Sequence, residues 1–254
     1  MARAPVIVYD LLHLFLFGPF SYTPRGISRI DFALANHFFT SSDKEVVGVL
    51  PTPMGMRIVD ADTVRTGLRH LEELWQETID PESDQSWIDV RLRLNGEGVP
   101  ASHPHRSGAL SFANGILRLG KQLTLTGISP GRPVRSALPS GAVYVNIGQA
   151  GLCVPFLFQW LESRMDVCAV MMMHDVIPLE YPDHVRQLVV AVHRSMVRTI
   201  AQYGDGLIVP SRHAGESIAA ALSSRTPEVL RDLISRLMKT YISAANTTNM
   251  PGPT

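Results

Sequence analysis

VCAVMMMHDVIP, residues Val167 to Pro178, runs through seven consecutive non-polar positions and then into a His-Asp pair and a proline. A run rich in Val and Met with no alternation fits a parallel strand covered on both faces better than a half-exposed antiparallel one. Such a strand is expected to be central in its sheet. In open α/β sheets ligands bind in the crevice beyond the carboxyl ends of parallel strands, so His174 and Asp175 are expected where chemistry is normally found.

Outward from this strand, a rhythm of strands and helices extends in both directions. Val6 to Tyr9 reads as a first strand, followed by a loop to Arg25 and a helix from near Gly26 with Ile27, Ile30, Leu34 and Phe38 on one stripe. Val46 to Leu50 is a second apolar run closed by Pro51 and Pro53, and Val64, Leu68, Leu71 and Trp75 give another helical stripe. Glu97 to Gly108 and Ser129 to Gly141 are rich in Gly, Pro and Ser and read as irregular. Order returns with Ala142 to Ile147 as a strand and Val154 to Leu161 as a helix. After the opening strand comes a helix with Val185, Leu188, Val189, Val192, Met196 and Ile200 on one face, ending near Gly204. Gly206 to Val209 is a last short strand, and the Ser211 hydroxyl can cap a helix over His213 to Leu222.

Alternation of this kind predicts an α/β fold: one Rossmann-like, doubly wound, mostly parallel sheet with helices on both faces, over residues 1–222. Residues 223–245 read as an amphipathic helix, with Thr226 as N-cap, Pro227 at the first helical position and an apolar stripe from Leu230 to Ile242. The tail, Asn246 to Thr254, is polar and reads as disordered.

Composition narrows the classes of function. The 254 residues are 45% hydrophobic and 18% charged, which is globular. Lys plus Arg and Asp plus Glu balance at 23 each, so there is no global positive charge for a nucleic acid or an anionic membrane, and nucleic acid is not an expected partner. The two cysteines, Cys153 and Cys168, make no CxxC pair, which suits a reducing cytosol. The longest membrane candidate, Leu11 to Phe20, is broken by His13, Gly18 and Pro19, and MARAPVIVYD lacks the pattern of a signal peptide. A cytoplasmic protein is expected, with at most peripheral contact at the inner membrane face.

Each candidate site has a plain structural reading beside the functional one. The backbone at Gly26 stands where a helix start would welcome a phosphate, or the glycine merely permits a tight turn. Arg29, a cation in a first helical turn, is electrostatically out of place there and is expected to pair with a carboxylate or a ligand. His174 could polarise a substrate hydroxyl at neutral pH, or it is a hydrogen-bonded histidine at the sheet end. Asp175 either holds that imidazole or caps the turn before Pro178, and capping is the simpler role. His193 lies on the apolar stripe of its helix and reads as a satisfied core residue. His103 and His105 form an HxH without a third ligand of clear spacing, so no metal is expected. Met171 to Met173 read as core packing. GxSxG, HExxH, GxxxxGK[ST] and GxGxxG are all absent from the sequence.

Four segments in order resemble the N-terminal, acceptor-side domain of glycosyltransferase family 4, of GT-B fold. PRGISRIDFALANHF (Pro24 to Phe38) resembles that family's Gly-Ile-x-Arg-Val helix, and YVNIGQAGL (Tyr144 to Leu152) the Asn-x-Gly-His-x-Gly-Leu segment of bacterial polysaccharide mannosyltransferase-like members. MHDVIPLEYPDH (Met173 to His184) resembles their His-Asp-x-Ile-Pro run, and YGDGLIVPSRHAGESI (Tyr203 to Ile218) their Ala-Asp…Ser-x-x-Thr run. The resemblance covers about Pro5 to Leu222. It implies retaining transfer of a hexose such as mannose from a nucleotide sugar, with no obligatory metal and no other cofactor, in a cleft between two Rossmann-like domains. It further implies that the loop at Gly26 approaches the donor diphosphate with Arg29 in support, and that His174 lines the acceptor or transferred-sugar side as the catalytic residue. Asn146, Gly148 and Asp175 fall in the matching segments and are expected at the substrate.

Two departures accompany the resemblance. Gln149 stands where the relatives carry His, and no counterpart of the donor-binding half follows Leu222. The chain is therefore expected to be inactive alone, either as a truncated gene product or as a half that engages its nucleotide-sugar donor and its sugar or lipid-linked acceptor once a partner chain supplies the donor domain. A non-catalytic binding module that keeps the fold is the alternative. An unrelated flavodoxin-like or nucleotide-binding domain is a third reading, because fold does not fix function.

Overall fold

The computed structural model describes residues 5–20, 24, 26–52, 55–76, 85–97 and 131–223. Six strands form one sheet: β1 (Ile7–Asp10), β2 (Val46–Thr52), β3 (Gly55–Val59), β4 (Val143–Asn146), β5 (Cys168–Met172) and β6 (Gly206–Ile208). Their order is β3-β2-β1-β4-β5-β6, parallel throughout except for β3, which returns antiparallel along β2. This is a Rossmann-like α/β arrangement, and its strand order reverses direction between β1 and β4.

Burial on both faces explains the apolar content of the strands. Val8, Tyr144, Ala169 and Met171 project to one side, into a core shared with α6 (Gln187–Tyr203), α7 (Arg212–Ser223) and a 3₁₀ helix over Pro155–Ser163. Tyr9, Val145 and Met172, one residue out of phase, project to the other side against α1 (Ile27–Thr40) and α2 (Ala61–Gln76). Helices pack on both faces, each core filled by alternate residues of the same strands, and on the α1 side an apolar cavity stays open over Val145, Val170 and Ile208. Three shorter α-helices lie among the described residues, α3 (Gln85–Leu94), α4 (Val134–Ala137) and α5 (Ile177–Glu180), along with short helical turns at His13–Phe17, Gly18–Phe20 and Pro182–His184. The opening strand, β5, is internal between β4 and β6, though only one strand from the edge.

Several expectations need correction. β2 does not stop at Leu50 but continues through Pro51 to Thr52, because β1 has already ended opposite Val49 and Pro51 lies beyond that ladder. Beyond it, β3 pairs Gly55 to Thr52 and Val59 to Gly48, a hairpin strand that apolar patterning missed. The helix expected over Val154 to Leu161 is present as a 3₁₀ helix over Pro155–Ser163. The buried stripe of α1 runs through Asp31, Ala35 and Phe39, so Ile30 lies on the open side at 37% exposure. Likewise α6 buries Val190, Val197, Ile200 and Ala201, and Leu188 in its first turn is 74% exposed. Ser211 caps α7 as expected, its Oγ accepting from the Ala214 N–H at 3.1 Å. His193 donates through Nδ1 to the Val189 carbonyl, 2.9 Å away, in keeping with a satisfied, half-buried side chain. The expected helix over 223–245 and the tail over 246–254 lie outside the described residues beyond Ser223, as do His103 and His105.

Candidate functional site

Three parallel strands, β1, β4 and β5, end side by side at the point where the strand order reverses, and polar groups concentrate there. β1 closes on Tyr9 and Asp10, β4 on Asn146, and β5 leads within two residues to His174. Because successive strand residues face opposite ways, Tyr9 and Asp10 start two separate networks, one on each face of the sheet.

Asp10 anchors the first network. Its Oδ2 accepts from the Tyr144 hydroxyl at 2.5 Å and its Oδ1 from the Leu12 N–H at 2.9 Å. Asn146 donates through Nδ2 to the Tyr144 oxygen at 3.3 Å and accepts on Oδ1 from the Gln149 N–H at 3.2 Å. These bonds tie β1 to β4 and shape the turn after β4, in which Gln149 takes the left-handed backbone conformation at φ 59°. Burial pushes the Asp10 carboxyl up to about 6, against the lowering effect of the Tyr144 and Leu12 hydrogen bonds and with a further upward push from the Asp31 charge. Burial, then the Asp10 charge, holds the Tyr144 hydroxyl well above its ordinary range, so it stays a neutral donor.

Asp31, on α1, is the centre of the second network and is wholly buried. A carboxylate in an apolar stripe needs strong partners, since an unpaired buried charge is prohibitively costly. Its Oδ1 accepts from the Tyr9 hydroxyl at 2.7 Å, and its Oδ2 pairs with His13 Nδ1 at 2.9 Å. His13 opens a π-helical turn, His13–Phe17, that directly follows β1. Gly148, in the turn after β4, presses onto this pair. A Cβ at Gly148 would overlap His13 Cβ and Asp31 Oδ2, so only glycine lets the two loops meet.

His174 completes the cluster. The Ile147 carbonyl is the backbone hydrogen-bonding neighbour of its ring, while Nε2 is buried and has no hydrogen-bond partner. Burial pulls its pKa below the ordinary histidine value, against weaker upward effects of the Ile147 carbonyl and the Asp175 and Asp31 charges. His13 adds a small further lowering, which places His13, Asp31 and His174 in one electrostatic neighbourhood. At neutral pH the ring is therefore an uncharged imidazole whose buried Nε2 awaits a donor. Leaving such an atom unpaired costs about 1–3 kcal/mol.

The remaining expected residues are placed as follows. Asp175 Oδ1 accepts from the Ile177 N–H at 3.1 Å, the turn-capping role, and it also lends its charge to His174. Asn146 and Gly148 lie beside the cluster, both buried, with the polar atoms of Asn146 engaged inside the protein. Gly26 precedes α1 at φ 46° and is exposed; a Cβ there would meet nothing within 4 Å, so backbone conformation rather than space calls for glycine. Arg29 is exposed on α1, and the carboxylate partner expected for it is not found among the described residues; it projects into solvent. The sequence reading passed over His13, Asp31, Tyr9 and Tyr144. One signal was available: Asp31 stands four residues from Ile27 and from Ala35, a carboxylate inside an apolar stripe.

Among the described residues, no group of three or more His, Cys, Asp or Glu side chains could hold a metal ion, and no helix is long and apolar enough to cross a membrane. Comparison of the chain with protein-family models, with curated proteins and with solved structures finds no match.

Proposed function

We propose that this chain is the acceptor-side domain of a bacterial hexosyl transfer system, resembling glycosyltransferase family 4, in which the crevice between β1 and β4 receives hydroxyl groups of a sugar. The observation that carries the reading is the buried, partnerless Nε2 of His174 at the carboxyl end of β5. A neutral imidazole in that position accepts a hydrogen bond from a hydroxyl and discriminates against ligands that cannot donate one. The electrostatics support the sugar over the phosphate as occupant. Asp10 and Asp31 are both buried at this edge of the sheet, and a diphosphate set against two carboxyl groups is repelled. The donor's diphosphate therefore belongs on the opposite wall of a cleft, supplied by a partner domain or chain, with a mannose-like hexose as the transferred group and a free or lipid-linked sugar at the inner membrane face as acceptor.

Amide and imidazole NMR shifts of the full chain, followed during titration with methyl α-mannoside, GDP-mannose and GDP, test this reading. The two sugar-bearing ligands should shift residues 10–13, 146–149 and 174–175, and GDP alone should not. Shifts confined to other regions, or equal responses to GDP and GDP-mannose, overturn it in favour of an unrelated nucleotide-binding domain.

A further inference from the structure

His174 is not the only imidazole at this edge of the sheet. His13 sits in the turn after β1, 16% exposed in its side chain, with Nδ1 committed to Asp31. Asp31 is itself locked from its other oxygen by the Tyr9 hydroxyl, and its helix position is fixed by the packing of Ala35 and Phe39. Such a carboxylate fixes both the orientation and the tautomer of its imidazole, because the proton of the neutral ring stays on the nitrogen facing the oxygen. The other nitrogen, Nε2, is then a bare acceptor. Among the described residues it has no hydrogen-bond partner, and it is open to solvent, unlike His174 Nε2, which a ligand must first uncover. The Gly148 backbone packs against the Cβ and Cγ side of the ring, so the imidazole is held from behind as well as through Nδ1.

Two observations argue against a purely structural purpose. A buried Asp31 needing a second donor could be served by a hydroxyl or an amide, whereas an imidazole leaves one unsatisfied nitrogen over. The His13 ring also packs on Gly148, the residue after Ile147, whose backbone bonds to the His174 ring, and His174 has its own Nε2 unpartnered. Two oriented acceptors at the carboxyl ends of β1 and β5, with β4 between them, suit a ligand with two hydroxyl donors.

We propose that His13, oriented by Asp31, is a second substrate-binding residue of the crevice, its Nε2 accepting a hydrogen bond from a hydroxyl of the same sugar that His174 engages. The inference rests on the sugar-transfer reading and deepens it, since paired acceptors select a polyol and give an anionic group nothing to bind.

The test is His13→Asn in the full chain. The asparagine amide N–H reaches about where Nδ1 lies and can still donate to Asp31, but nothing replaces Nε2. Methyl α-mannoside is the probe, with His174 ring signals reporting binding and thermal melting reporting the fold. The expected result is an unchanged melting temperature with affinity about tenfold weaker, the loss of one hydrogen bond. In the wild-type chain the Nε2 signals of His13 and His174 should move together along the titration. Wild-type-like affinity in His13→Asn, or a sugar that moves His174 and leaves His13 still, overturns the inference and leaves the sugar reading standing. A sugar that moves neither ring overturns both. Should His13→Asn fold poorly, the wild-type ring signals decide alone.

Discussion

Replacing Asp10 by Asn should abolish the pH dependence that this one carboxyl imposes on stability. In the folded chain burial raises its pKa from 3.8 to about 6. Between those values the folded state holds a proton that the unfolded state has released, so stability falls as pH rises through the window. At about 1.4 kcal/mol per pH unit, the gap amounts to roughly 3 kcal/mol lost by neutral pH. Asn removes the titration but also alters the hydrogen bonding. It can accept from the Leu12 N–H, yet its amide cannot take the Tyr144 proton that Oδ2 accepts, at a pH-independent cost of about 1 kcal/mol. Asp10→Asn should therefore be less stable than wild type by about 1 kcal/mol well below pH 3.8 and more stable by about 2 kcal/mol near pH 7.

His174 acts in the opposite sense. Its folded pKa is lowered, so its contribution grows as pH rises toward the ordinary 6.5 and is lost as pH falls below it. Subtracting the wild-type curve from the variant's at each pH cancels that term. Urea unfolding at fixed ionic strength across this range measures the difference directly. Curves that run parallel throughout would refute the reasoning, because they would mean that Asp10 titrates alike in the folded and unfolded chain.

Further outcomes follow from contacts on the same pages of the structure. Gly148→Ala should cost about 1–3 kcal/mol, because the new methyl has no room beside His13 and Asp31, and it should disturb the His13 ring signals before those of distant core residues. Ser211→Ala should cost about 1 kcal/mol by leaving the Ala214 N–H of α7 uncapped, measurable by urea unfolding, and it should leave the crevice unchanged.

The fold was largely legible because its strongest signals are local. Continuous apolar runs marked β1, β4, β5 and β6, three- and four-residue spacing marked α1, α2 and α6, and the Ser211 cap marked α7. β3 escaped because Gly55-Met-Arg-Ile-Val is short, opens on an exposed glycine and carries a charged residue at its centre, so neither a continuous run nor a clean alternation stands out. The phase of α1 was misjudged because Ile30 looked like core while Asp31 did not; only tertiary pairing with Tyr9 and His13 makes a buried aspartate tolerable. The site divides in the same way. His174 could be placed from its strand alone, since the end of a parallel strand is a position that sequence reveals. His13 and Asp31 are 18 residues apart and meet Gly148 only through the loop after β4, a juxtaposition with no local signature.

The central claim is that His174 Nε2 is held unpartnered in the protein for a sugar hydroxyl. A crystal structure of the full chain with methyl α-mannoside tests it most directly. The account predicts a sugar hydroxyl within hydrogen-bonding distance of His174 Nε2, in the crevice between β1 and β4. A sugar bound elsewhere, with that nitrogen satisfied by a protein group, would contradict it.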